Sequence, residues 1–176
     1  MKKLILIFFV CVFPVIIKAQ TSKNSVVFEL GGNGFGYSIN YERYFVSNVN
    51  GRVGFSFFYV RENQTEKTLS VMSYPISTNY LFDIGGEKHF IETGIGVMNL
   101  ITSDDLVEYK GVTNFYINPF LNLGYRYRSQ EKKITFKAGI TPFYGTKSLT
   151  NPTEQGFSPF GSRFQIWGVV GIGFNF

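Results

Sequence analysis

Phe164-Gln165-Ile166-Trp167-Gly168-Val169-Val170-Gly171-Ile172-Gly173-Phe174-Asn175-Phe176 closes the chain, and its alternation decides the fold. In an extended chain successive side chains point to opposite faces. Phe164, Ile166, Gly168, Val170, Ile172, Phe174 and Phe176 therefore share one apolar face. Arg163, Gln165, Trp167, Val169, Gly171, Gly173 and Asn175 share the other, which mixes polar, small and aromatic residues.

The same period recurs towards the N-terminus. Ile134, Phe136, Ala138 and Ile140 oppose Thr135, Lys137, Gly139 and Thr141. Phe115, Ile117, Leu121, Leu123, Tyr125 and Tyr127 oppose Asn118, Asn122, Gly124, Arg126 and Arg128. Further alternating stretches centre on Ile95, Ile76, Phe55, Ile39 and Phe28, which makes eight strands. Most run to about 9–15 residues, longer than the 5–6 of an average soluble strand and long enough to cross a membrane at a tilt.

The connections alternate as well. Val46–Asn50, Ile84–Lys88 and Ser129–Lys132 are short; Glu62–Glu66, Asn99–Val112 and Gly145–Ser162 are mostly longer and more polar. Short turns at one end and long loops at the other predict an all-β, eight-stranded, antiparallel up-and-down transmembrane barrel with both termini on the periplasmic, short-turn side. The connection around Gly32–Gly34 departs from this, because it falls on the long-loop side and is very short. Gly31-Gly32-Asn33-Gly34 reads as a tight turn; no helix follows to make it a phosphate cradle. Tyr41, Tyr44, Phe45, Tyr80, Phe82, Tyr125, Tyr127, Phe174 and Phe176 lie at the short-turn ends, the place of an interfacial girdle. The competing architecture is a soluble sandwich or lipocalin-like barrel, with the apolar face inside.

Composition agrees. The 176 residues include 20 Phe, 11 Tyr and 19 Gly, and only 16% are charged, against about 25% in ordinary soluble domains. That excludes a disordered chain, a coiled coil and a helix bundle. One Cys and one His exclude a disulfide framework and the common zinc sites.

Residues 1–19 have the three parts of a secretory signal: Lys2-Lys3, an apolar run from Leu4 to Ile17, and Lys18-Ala19-Gln20 at the expected cut. The apolar run is short of the roughly 20 residues that span a membrane. Cleavage after Ala19 removes Cys11 and three lysines, leaving 14 basic against 12 acidic residues over 20–176, a net charge of +2. The basic balance of the whole chain is thus mostly export signal and gives no support for nucleic-acid binding.

The export junction Lys18-Ala19-Gln20, the opening Glu29-Leu30-Gly31-Gly32-Asn33 and the ending Gly171-Ile172-Gly173-Phe174-Asn175-Phe176 together resemble the small outer-membrane β-barrel proteins of Bacteroidetes-type bacteria. The resemblance covers residues 20–176 and implies a location in the cell outer membrane. The terminal Phe174 and Phe176 resemble the signal read by the barrel-assembly machinery. A family whose barrels serve many roles does not fix a function.

The candidate chemistry is sparse. Glu29, Glu42, Glu92, Arg52, Arg126, Arg128, Lys137 and Arg163 face inward in this reading. An eight-stranded barrel is just wide enough for side chains to fill, and unpaired buried charges are costly. A lumen plugged by ion pairs is therefore expected, with a narrow ion-selective path as the alternative. His89 sits at the short-turn end beside Lys88, away from the outer-leaflet side where outer-membrane hydrolases and acyltransferases work, so no catalytic residue is assigned. Asp104, Asp105 and Glu108 form an acidic loop patch without the spacing of a calcium loop. No cofactor or metal is implied.

Pro119 and Pro142 fall mid-strand on the outer face of neighbouring strands. A hairpin centred between Gln130 and Glu131 sets them opposite each other, where neither donates to the ladder. Such a pair kinks the strands or opens a lateral seam. The paired prolines resemble the lateral access route of a lipid A palmitoyltransferase barrel, but that enzyme's catalytic His has no counterpart here.

The main expectation is a non-enzymatic barrel that acts as a membrane anchor or surface protein of the envelope. Its partners would be the outer-membrane bilayer and the assembly machinery. The alternative is a carrier of a small apolar or lipid-like molecule, entering by the barrel mouth or the proline seam.

Overall fold

The computed structural model describes residues 23–61, 68–104, 113–129, 131–146 and 164–176. The signal segment, Arg163, Asp105 and Glu108 lie outside the described residues. Eight strands follow in chain order: β1 (Asn24–Gly31), β2 (Tyr37–Val46), β3 (Val49–Arg61), β4 (Thr68–Gly85), β5 (His89–Asp104), β6 (Thr113–Ser129), β7 (Ile134–Tyr144) and β8 (Phe164–Asn175). Each is antiparallel to the next, and β8 returns to β1 to close the barrel, from Ser25 opposite Asn175 to Gly31 opposite Val169. Closure leaves no strand edge unpaired, which a membrane barrel requires.

The faces are those of a membrane protein. Glu42 and Arg126 are fully buried, while Ile95 is 67% exposed and Ile39 55%. In water that arrangement would bury charges and expose a continuous apolar belt, so the lipocalin-like alternative is excluded. Ile39, Val53, Ile76, Ile95, Leu121, Ile140 and Val170 form the outward belt. Tyr41, Phe45, Tyr80, Phe82, Tyr125 and Phe174 rim it on the outside at the short-turn end.

Tyr44 departs from the girdle. It is 4% exposed and packs with Leu81 and Phe90 inside the barrel. The reason is the two-residue period: Glu42 points inward, so Tyr44 must as well.

The short turns are tight. Gly86 and Glu87 carry consecutive positive φ angles, 65° and 59°, within the three-residue connection 86–88 that joins Gly85 to its partner His89. On the other side, β5 is longer than the sequence suggested. Residues Asn99 to Asp104 remain paired with β4, because Leu100 and Thr102 continue the inward period.

The first connection folds inward. Gly32–Gly34 form a 3-10 turn whose residues are all buried, and it delivers Phe35 into the lumen at 2% exposure. Gly31 and Gly32 adopt φ of 76° and 63°, a conformation that favours glycine. A backbone hydrogen bond from Gly31 N to Gly36 O, 2.9 Å, closes the loop. The segment is thus a re-entrant plug, where the sequence suggested a plain turn.

Candidate functional site

The interior is filled in three levels. At the short-turn level, period two brings Glu42 inward from β2, Arg52 from β3, Glu92 from β5, Arg126 from β6, Lys137 from β7 and Glu29 from β1. Arg126 is the hub. Its Nη2 donates to Glu42 Oε1 at 2.8 Å and to Glu92 Oε1 at 3.1 Å. Its Nε donates to Glu92 Oε2 at 2.9 Å, and its Nη1 to Glu42 Oε2 at 2.5 Å and to Tyr44 Oη at 2.8 Å. Every guanidinium nitrogen is engaged, and both carboxylates are gripped through two oxygens, the strong geometry for such pairs.

Around that hub, Arg52 pairs closely with Glu29 and lies 3.9 Å from Glu42. Lys137 Nζ is 3.0 Å from Glu29 and 3.6 Å from Glu92. Ser25 Oγ donates to Glu42 Oε2 at 3.0 Å. Three carboxylates thus face three cations across the barrel, and the formal charges cancel. Gly171 makes room: a Cβ there would stand 2.9 Å from Glu29 Cγ and 3.1 Å from Lys137 Cγ. Arg128 sits below the cluster with its guanidinium carbon 3.7 Å from the Tyr44 ring centroid, a cation–π contact. Tyr44, Leu81, Phe90 and Arg128 line a hollow at this mouth.

The middle level is polar and uncharged. Thr141 Oγ1 donates to Asn122 Oδ1 (3.4 Å), Asn122 Nδ2 to Asn79 Oδ1 (2.8 Å) and Asn79 Nδ2 to Asn50 Oδ1 (2.8 Å). This relay ties β7, β6, β4 and β3 together through the lumen.

The long-loop level is apolar. Phe35 sits among Val71, Met98, Leu100, Tyr116, Phe120 and Phe143, with Phe58 and Trp167 packed against the group. Its ring meets Phe143 and Trp167 edge-on, at 5.5 Å and 5.2 Å between centroids, and Phe58 at 5.9 Å with a 56° tilt. Its backbone, φ 63° and ψ −82°, lies near the rare γ-turn with positive φ. For a non-glycine residue that conformation costs about 1–3 kcal/mol. Ser56 Oγ and Ser73 Oγ hold the loop by donating to Gly34 O (2.9 Å) and Asn33 O (3.1 Å).

Of the sequence candidates, Glu29, Glu42, Arg52, Glu92, Arg126 and Lys137 come together, and Arg128 lies beside them; Arg163 is outside the described residues. His89 is exposed at the short-turn end, its Nδ1 2.6 Å from Tyr125 Oη. Asp104 ends β5.

The prolines are not opposite each other. Phe120 pairs with Phe143 and Leu123 with Ile140, so the hairpin centre lies one residue further along than the sequence suggested. Pro142 is then level with Leu121, and the pairing of β6 with β7 is interrupted only between those two flanking pairs. Pro119 pairs with Val97 of β5 and Pro142 with Ile166 of β8. The two ring systems are thus offset by two residues rather than stacked in one gap.

The asparagine relay and Phe35 do not stand out as site residues in the sequence. The signal for Phe35 is a large aromatic inside Gly31-Gly32-Asn33-Gly34-Phe35-Gly36, a run that belongs to no strand period.

No protein-family model matches the chain, and no curated protein matches it in sequence. Solved structures do match. Neisserial surface protein A is similar at 14% identity with a TM-score of 0.59, covering 87% of this chain and 93% of that one. The N-terminal β-barrel domain of Pseudomonas aeruginosa OprF is similar at 14% identity with a TM-score of 0.52, covering 89% and 100%. At these identities the likeness shows the fold. With its apolar exterior and closed antiparallel wall, the chain is an eight-stranded transmembrane β-barrel that shares the fold of these two proteins.

Proposed function

We propose that this chain is a non-enzymatic envelope protein, anchored by its barrel, whose lumen is closed by ion pairs. The observation that carries this is the Arg126 fork. It spans the lumen between Glu42 of β2 and Glu92 of β5 with no side chain of the group more than 2% exposed. A path for ions through that level would have to break several charge-assisted hydrogen bonds at once. The surface role is supported by the name of Neisserial surface protein A.

Reconstitution in a planar bilayer tests the closed lumen. The expected record is flat, and steady porin-like conductance would refute the plug. The mature chain is expected to begin at Gln20 and to fractionate with the outer membrane. Intact mass and fractionation check both; full-length chain in the inner membrane would overturn them.

A second reading, binding of a small apolar molecule at the long-loop mouth, is favoured by the Phe58, Phe143 and Trp167 lining. The interrupted β6–β7 pairing gives lateral entry less support than opposed prolines would have given. Native lipidomics of the purified barrel tests this reading: a stoichiometric co-purifying molecule is expected, and an empty extract would count against it.

A further inference from the structure

The ionic level closes the barrel from below, so the apolar level above it is a blind cup and not part of a channel. Phe35 fills that cup, yet it is the one member of the buried apolar cluster that does not come from a strand. All the others are fixed by ladder pairing; Phe35 is carried on a glycine-flanked loop between Gly34 and Gly36. A Cβ at Gly36 would meet nothing within 4 Å. Its backbone is held in an unfavourable conformation, and leaving would relieve that conformation. The inward fold rests on two serine hydroxyls and two loop hydrogen bonds rather than on a ladder.

The cup also has polar groups left over. Asn118 lies between Tyr116 and Phe120 on the inward face of β6 and is fully buried. Its Oδ1 accepts from Thr146 N at 2.8 Å, but its Nδ2 finds no partner among the described residues. Asn33, on the plug itself and 2% exposed, likewise has an unpartnered Oδ1. A buried amide without a partner is an unmet hydrogen-bonding demand. Two rings edge-on and one tilted around a flat occupant, next to a free amide donor, match a single-ring aromatic compound carrying a polar substituent.

We infer that the cup around Trp167, Phe143 and Phe58 is a binding site for a monocyclic aromatic molecule with a polar group, and that Phe35 is its displaceable built-in occupant. The ligand's ring takes the place of the Phe35 ring, and its polar group meets Asn118. The inference rests on the second reading above and makes it specific.

Trp167 is the chain's only tryptophan and touches the Phe35 ring, so its fluorescence reports on the cup. It lies on the lumen face, where a quencher dissolved in detergent does not touch it. The test is titration of 4-bromophenol, a contact quencher, into the refolded full barrel at fixed micelle concentration. Three proteins are compared: the unaltered chain, Phe35→Ala and Ser56→Ala. Because an occluded site binds with an affinity reduced by its open fraction, the unaltered barrel should show weak saturable quenching. Phe35→Ala should bind roughly tenfold or more tightly, the ring no longer competing. Ser56→Ala, which frees the loop without touching the cup, should bind about threefold more tightly, the size of one lost neutral hydrogen bond. If Phe35→Ala fails to fold, the Ser56→Ala comparison decides alone.

Saturable quenching only in Phe35→Ala, and none in the other two, would make Phe35 a permanent core residue and overturn the inference. Equal affinity in all three would show that probe and ring do not compete, and overturn it as well. A bound lipid found by lipidomics together with no quenching would refute this inference while leaving the second reading standing.

Discussion

At the short-turn half of the lumen the space is filled by Glu29, Glu42, Arg52, Glu92, Arg126 and Lys137, every one of them fixed on a strand. At the long-loop half it is filled by Phe35, brought in by a loop, against aromatic and aliphatic side chains. The first filling is directional. Each charge has taken leave of water and depends on its partners, so loss of one member strands the others. The second depends on shape and area, so loss of a member leaves a hole but no orphaned charge. The two halves teach that one wall, built on one period, carries both a charged filling fixed by the ladder and, as proposed above, an apolar filling that can leave. Removability follows from whether the ladder fixes the side chain's backbone.

The largest effect that would test this contrast is expected from Arg126→Met. It leaves Glu42 and Glu92 facing each other without their shared fork and should destabilise the barrel by about 3–5 kcal/mol. Urea unfolding of the refolded protein measures it. Adding Glu42→Gln and Glu92→Gln to the same chain should recover much of the loss; no recovery would mean the arginine acts through packing alone.

Phe35→Ala comes next, at about 3 kcal/mol, near the lower end for a buried phenylalanine because the loop that carries it lies outside the ladder and can resettle around the hole. Its cost in the same unfolding assay should not be recovered by changing any charge below it. Recovery by the Glu42→Gln and Glu92→Gln pair would show that the halves are coupled rather than separate.

Gly171→Ala sharpens the picture of the ionic half. A methyl there presses on Glu29 and Lys137, and the expected cost is about 1–3 kcal/mol. A neutral result would show that the Lys137–Glu29 pair has slack.

The smallest effect on the folded barrel is expected from deleting Phe176. It is half-buried at the strand end, and its N and O bond to Asn24 O and N at 2.9 and 3.0 Å. Loss should cost about 1 kcal/mol, the burial of part of one side chain. If the terminal aromatics are read by the assembly machinery, folded protein in cells should nonetheless fall sharply on semi-native gels. Normal cellular levels would reduce Phe176 to a girdle residue.

Much of this is legible in the residues. The two-residue period sets the strands, their inward and outward faces and hence the closed barrel, because in a strand the position of a side chain follows from parity alone. Parity by itself also places all six residues of the ionic cluster inside. It places Tyr44 there too, although the abundance of aromatics at the short-turn ends favours the girdle for it.

Parity does not say which charge meets which. That depends on register around the closed ring and on the reach of long side chains across it, so the Arg126 fork between β2 and β5 emerges only in three dimensions. The same limit puts the expected β6–β7 hairpin centre one residue off and sets the prolines falsely opposite, because a turn's geometry, not its composition, fixes register. Phe35 shows the limit most plainly. Its sequence marks a break in the period, but a break has no parity and so no predicted face. The wall left an apolar hollow above the ionic level, and the ring entered it because burial there offsets the strain of the turn.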